Sequence, residues 1–329
     1  MTPDSDRREK GSAPMRSRLC VTVLASAVLL PASPLPARVA SPAPAAVALT
    51  LADPSAPVRS EPADTPVPSP CPSGTRATGD RADVRGGSLV HVVYLVPKNK
   101  ADESLDRNGI LECSLRAQQE WFGQQTGLRW RFDTYEGLID ITYVKSNNLN
   151  AADLDNADEI SAELRRRGFD RDGKRYLTYV ASGPAGLTGS AICGSAYYPE
   201  RTGTGPVDGK YAQVYLDSGP SCRARDFGRP GAPSYSEVIA QQELMHNDGI
   251  VPLVAPHQCA VVLYHVCTAT LSWLHAVAGD VDPESVDIMF PYVGRPLGQK
   301  VVDVGHDDYF AHPNPMVRRL EESDYLEPA

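Results

Sequence analysis

The stretch SLVHVVYLVP (88–97) constrains this chain more than any other. It is a run of β-branched and apolar residues interrupted only by His91 and closed by Pro97, and it reads as a buried strand. A strand of this kind needs partners and cover, and the residues after it supply both. ILECSLRAQQEWFGQQTG (110–127) places Leu111, Leu115, Gln118 and Phe122 on one helical face, with Gly127 as a terminator. RWRFDTYEG and IDITYVK alternate as strands, and DLDNADEISAELRRRGF (153–169) is helical. KRYLTYVAS and KYAQVYLD are strands again. SYSEVIAQQELMHNDG (234–249) is a helix with a serine available as cap and Glu237 in its first turn. The order β-α-β-β-α-β-β-α predicts an α/β (α+β) domain with a mixed, twisted sheet, followed by an irregular, proline-punctuated segment from residue 250 onward.

The composition changes sharply upstream. Residues 31–86 are rich in Pro, Ala and Ser without hydrophobic period, as in DPSAPVRSEPADTPVPSPCPSG. Before them, MRSRLCVTVLASAVLLPAS carries Arg16 and Arg18 ahead of the apolar run Leu19 to Leu30, which is too short to span a bilayer and suits an export signal. Cleavage regions occur near Ala40 and Ala48. The expected organisation is a signal peptide over 1–48, a disordered linker over 49–86 and a folded domain over 87–329, with an upper lobe at about 88–249 and a lower lobe at about 250–329. Beyond Cys20 in the signal, the cysteines are Cys71, Cys113, Cys193, Cys222, Cys259 and Cys267. An even set without C-x-x-C spacing suits disulfides in an extracellular protein. Cys259 and Cys267 are near enough to staple one loop. With 41 acidic against 32 basic residues the net charge is −9, which argues against nucleic acid as partner and against a polybasic membrane surface. The stretch FDRDGKRY (169–176) has Asp170, Asp172 and Gly173, but an EF-hand loop would need ligands where Gly168 and Tyr179 stand. It reads as a turn, and a structural calcium elsewhere is left open.

The stretch QQELMHNDG (241–249) carries the chemistry. It differs by one letter from H-E-x-x-H-x-x-G. In that pattern residues i and i+4 of a helix hold one Zn²⁺ through two imidazoles, the Glu takes a proton from the attacking water, and the Gly turns the chain toward a third ligand. Here Glu243, His246 and Gly249 are in register, and Gln242 stands in the first ligand position. A Gln amide oxygen binds Zn²⁺ poorly beside imidazole. A structural zinc site is worth about 10–16 kcal/mol, so losing one ligand should cost on the order of 3–4 kcal/mol. Alone, E-x-x-H-x-x-G is also what a helix with a satisfied histidine and a glycine cap looks like.

Further stretches extend the match. VDIMFPY (286–292) resembles the methionine turn of the metzincin clan, with Met289 and Tyr292 in the characteristic places. GIVPLVAPH after Gly249 and the tail VVDVGHDDYFAH (301–312) resemble a group of secreted actinobacterial proteins with a metzincin-like motif. The resemblance covers roughly 88–312. It implies a metzincin-like fold, in which Met289 passes beneath the metal histidines and an edge strand, here KYAQVYLD, pairs with an extended peptide. It implies zinc as the metal, Glu243 as the base, and Gln242 and His246 with His257 or His265 as the ligand set. The usual third-ligand position falls on Pro252, which cannot bind metal; His275 is a weaker substitute. The expected function is that of a secreted zinc metallopeptidase homologue with impaired or absent activity. The alternative is a non-enzymatic peptide- or protein-binding domain on the same fold. A monomer without a stable membrane span is expected.

Overall fold

The computed structural model describes residues 71–83, 85–151, 154, 157–181, 193–199, 201–202, 205–206, 209–216, 227–228, 233–251, 254–259, 264–267, 287–290 and 297–329. The signal-peptide stretch, the linker up to residue 70, Pro252, His275 and Tyr292 lie outside these residues. The described residues belong to one compact unit that begins at Ala63.

The apolar run forms β1 (Leu89–Val96), and every one of its residues is buried. It is flanked by two parallel neighbours, β5 (Ile141–Lys145) and β6 (Lys174–Val180). β10 (Tyr211–Tyr215) continues the sheet parallel to β6, and β7 (Gly194–Ala196) closes it antiparallel to β10. The order is β5-β1-β6-β10-β7. Parallel strands must be covered on both faces, and the alternation along β1 does this. Val90, Val92, Tyr94 and Val96 enter one core with α1 (Ile110–Thr126) and α3 (Tyr235–Asp248). Val93 and Leu95 enter a second core with Ile160 and Leu164 of α2 (Ala157–Arg166). The remaining pairs are short: β3 (Thr134–Tyr135) with β4 (Leu138–Ile139), and β8 (Arg201–Thr202) with β9 (Gly205–Pro206). The mixed α/β reading therefore holds at the level of fold class.

Three expectations change. KYAQVYLD is not the edge strand. β10 is bonded on both sides, and the edge belongs to the three-residue β7, which follows the glycine-rich stretch at 182–194. RWRFDTYEG is not one strand but β2 (Leu128–Trp130) and β3, separated by residues 131–133. The packed chain also begins earlier than residue 87. Cys71 is bonded to Cys113 on α1, Ala77 bridges to Thr142, and Arg76 pairs with Asp106 at 2.5 Å. The buried Lys174 ammonium takes Asp80, Asp83 and Asp133 as partners at 2.8, 2.5 and 2.7 Å. Composition predicted a linker because it registers the lack of apolar period; a covalent bridge and buried charge pairs hold this segment instead. At the C-terminal end of the chain, β11 (Leu326–Pro328) returns to pair with β2.

A chain starting at residue 88 loses a disulfide and two counter-charges of a buried lysine. Losing the bridge alone costs about 2–5 kcal/mol, or roughly 10 °C in Tm for a domain of this size. Thermal unfolding of chains starting at 71 and at 88 should differ by at least that much; equal midpoints would return the boundary to 87.

Candidate metal centre

Helix α3 starts at a capping box, with Ser234 as cap and Glu237 reaching back to the Ser234 N–H at 2.8 Å. It ends at Gly249, whose φ of 71° is left-handed. A Cβ on Gly249 would also sit 2.7 Å from Pro199 Cγ, so the residue is fixed both by its backbone and by the close approach of the segment after β7.

The helix is buried from Ser236 to Asp248, including its polar residues. Buried polar groups need partners, and most of these have them. Gln241 accepts from Trp130 Nε1 at 2.9 Å and donates to Gln118. Asn247 donates to the carbonyls of Tyr197 and Tyr211. Asp248 pairs with Arg175 and accepts from Ser323. Gln242 donates its amide to the Phe290 carbonyl at 2.5 Å. His246 Nε2 lies 3.3 Å from His265 Nε2. Glu243 is the exception. It is 7% exposed, and no hydrogen bond or ion pair to it occurs among the described residues. Burial alone pushes its carboxyl up to about 8. Burial, with the nearby His265, holds His246 well below its ordinary value, so the imidazole is neutral.

His265 arrives from the segment after α3. The bridge Gln258↔Val266 and the disulfide Cys259–Cys267 make a short antiparallel hairpin there. The two rings meet at a centroid distance of 4.6 Å and an interplanar angle of 66°. Two imidazoles bound to one tetrahedral zinc, each at about 2.0–2.1 Å, have nitrogens roughly 3.3–3.4 Å apart. The observed 3.3 Å separation matches that, and also suits an N–H···N bond between the two rings. β7 runs past Glu243: a Cβ on Gly194 would fall 2.5 Å from Glu243 Oε1. Only glycine lets the strand pass so close to the carboxyl.

His257 is placed elsewhere. Its Nδ1 pairs with Asp308 at 3.0 Å and lies 3.6 Å from Asp307. Of the two candidates, His265 is the one brought to His246. Met289 is fully buried in the same core as α3, and its turn touches both sides of the pocket: the Met289 carbonyl accepts from Val266 N–H at 3.1 Å and the Phe290 carbonyl from Gln242. Sequence reasoning missed the residue that shapes this turn. Asp287, fully buried, accepts from Met289 N–H at 2.7 Å, Tyr309 O–H at 2.7 Å and Val304 N–H at 2.9 Å. Burial pushes its carboxyl up to about 7. It stands within the quoted VDIMFPY and its partners within VVDVGHDDYFAH, but no spacing rule joins the two stretches.

Two groups of three or more acidic or histidine side chains among the described residues bring possible ligand atoms within 4.8 Å of one another: Asp80, His91, Asp133 and Asp140, and His257, Asp307 and Asp308; neither includes Glu243, His246 or His265. In the first, Lys174 already supplies a cation and Arg81 pairs with Asp140. Neither contains Asp170 or Asp172, which sit at a turn where Asp170 pairs with Lys210. Comparison with protein-family models, with curated proteins and with solved structures returned no match.

The raised Glu243 sets a sign. Burial lifts its folded pKa to about 8 from the ordinary 4.5, so the native state holds the proton more tightly. Stability from this group is greatest below 4.5, is lost as pH rises toward 8, and is then constant. Glu243→Gln should therefore raise the Tm of metal-free protein at pH 8–9, by the equivalent of a few kcal/mol, and leave it unchanged near pH 4. An equal gain at both pH values would show that ionisation of Glu243 is not the cause.

Proposed function

We propose that the chain is a metzincin-like zinc metallopeptidase homologue whose pocket holds metal through His246 and His265, with Glu243 as the base and Gln242 in the place of a third imidazole. The observation that carries this reading is the 3.3 Å approach of His265 Nε2 to His246 Nε2 on the buried helix that also carries Glu243, whose carboxyl has no hydrogen-bond or ion-pair partner among the described residues. A polar cluster left this incomplete in a protein interior is unfavourable unless something else completes it. Zinc bound there would supply Lewis acidity to a substrate carbonyl and to water. Glu243 would hold the proton taken from that water, and its raised pKa near neutrality suits such a role.

The antiparallel edge β7 beside Glu243 supports an extended peptide or protein as the occupant of the cleft, because its outer side is the sheet's free edge among the described residues. Export is supported by the N-terminal sequence and by the disulfides Cys71–Cys113 and Cys259–Cys267. No helix among the described residues is long and apolar enough to cross a membrane.

One observation favours weak catalysis. The Gln242 amide is committed to the Phe290 carbonyl, so the helix is tied to the methionine segment by a hydrogen bond in the place where a histidine would bind metal. The second reading, a peptide-binding domain that no longer cuts, rests on that contact. Gln242→His tests both. It should tighten zinc binding by two to three decades, from the 3–4 kcal/mol expected of one ligand. Activity on a denatured protein should appear with it and vanish on adding Glu243→Gln. The parent should show little or none. Equal, tight zinc binding by parent and variant would mean that another group already fills the third position. No binding by either would leave the non-enzymatic domain.

A further inference from the structure

His265 is not carried by a helix or by the main sheet. Among the described residues its segment is tied back to 257–259 by Cys259 N–H to the His265 carbonyl and Cys267 N–H to the His257 carbonyl, both 2.8 Å, and Tyr264 beside it stacks on Tyr198 at a centroid distance of 3.8 Å. A two-stranded ribbon this short is at best marginal in water. The Cys259–Cys267 bridge closes it across eight residues with Cα atoms 5.1 Å apart, and both sulfurs belong to buried residues. Among the described residues, a backbone bond from Val266 N–H to the Met289 carbonyl also ties the His265 strand to the turn at Met289, and Val266 is buried in the core. A second disulfide, Cys71–Cys113, joins the N-terminal segment to α1, and Cys193, just before β7, is disulfide-bonded as well.

We propose that the Cys259–Cys267 disulfide is the positioning element of the pocket: it holds His265 against His246, so the two-imidazole site is assembled in the oxidised protein and comes apart in the reduced one. In reduction an external dithiol delivers two electrons and two protons to the sulfur–sulfur bond. Two cysteine thiols form, and the reductant leaves as its own disulfide. The ligand pair therefore exists only where disulfides persist, and the pocket stays incomplete in a reducing compartment. The metal consequence rests on the zinc reading above; the placement of His265 does not.

The experiment compares the parent, Cys259→Ala/Cys267→Ala, and Cys71→Ala/Cys113→Ala as a control for general loss of stability. Zinc affinity is measured by competition with a chromophoric chelator. In metal-free protein, the ring nitrogens of His246 and His265 are followed by ¹H–¹⁵N spectra. The first variant should bind zinc on the order of ten- to a hundred-fold more weakly, the factor by which opening a loop of this size frees the chain. Its two imidazoles should lose the signature of a hydrogen-bonded pair. The control should stay within about three-fold of the parent and keep that signature. Retention of the paired signature in the first variant, or its loss in both, overturns the proposal. If none of the three binds zinc but the pair separates only in the first variant, the metal reading fails and the positioning role stands. Should the first variant not fold, the parent is reduced in the native state with a dithiol and the open bridge located by mass mapping. A pair that survives opening of Cys259–Cys267 overturns the proposal.

Discussion

The architecture around the pocket depends on the complete burial of helix α3. A helix that carries Gln241, Gln242, Glu243, His246, Asn247 and Asp248 within two turns cannot be driven inward by apolar periodicity alone, and each polar group taken out of water must be matched. The fold meets this by bringing a different element to each. Trp130 and α1 meet Gln241; β10 and the segment after β7 meet Asn247. Arg175 and the C-terminal Ser323 meet Asp248, and the methionine segment meets Gln242. The hairpin supplies His265 to His246. Glu243 is left with burial and nothing to offset it. Glu243 differs from these polar neighbours in that each of them has at least one polar partner, although Asn247 Oδ1 and Asp248 Oδ2 are also left without one.

The chain after α3 acts as a scaffold for that site. Asp303 accepts from the N–H groups of Asp308, Tyr309 and Phe310 and so shapes the loop that carries them. Asp308 then clamps His257 at the base of the hairpin, and Tyr309 reaches Asp287, which sets the turn at Met289. Carboxylates placed among backbone N–H groups do here what regular hydrogen-bonded ladders do in the upper lobe. This explains how the described loops at 287–290 and 301–312 present defined geometry to α3.

What could be read from the sequence follows the range of each signal. β1, α1 and α3 were legible because burial with period 2 or 3.6 and local capping are written within a dozen residues, as in LVHVVYLV and in Ser234 with Glu237. The Cys259–Cys267 staple was legible from proximity. The edge strand was not: Gly194–Ala196 is too short to show alternation, and only its passage beside Glu243 makes it matter. The packed segment from Cys71 was hidden because its anchors, Cys113, Asp106 and Lys174, are distant in sequence and its own composition resembles a linker. The choice between His257 and His265 was hidden for the same reason. It is decided by Asp308, some fifty residues downstream, which engages His257 and leaves His265 to face the helix.

The central claim is that His246 and His265 are co-ligands of one metal ion beside Glu243. Its most direct test is anomalous diffraction at the zinc absorption edge from crystals of the mature protein equilibrated with Zn²⁺. The account predicts one strong peak about 2.0–2.1 Å from both Nε2 atoms, on the side facing Glu243. A peak confined to His257, Asp307 and Asp308, or no peak between the two histidines at saturating zinc, would contradict it.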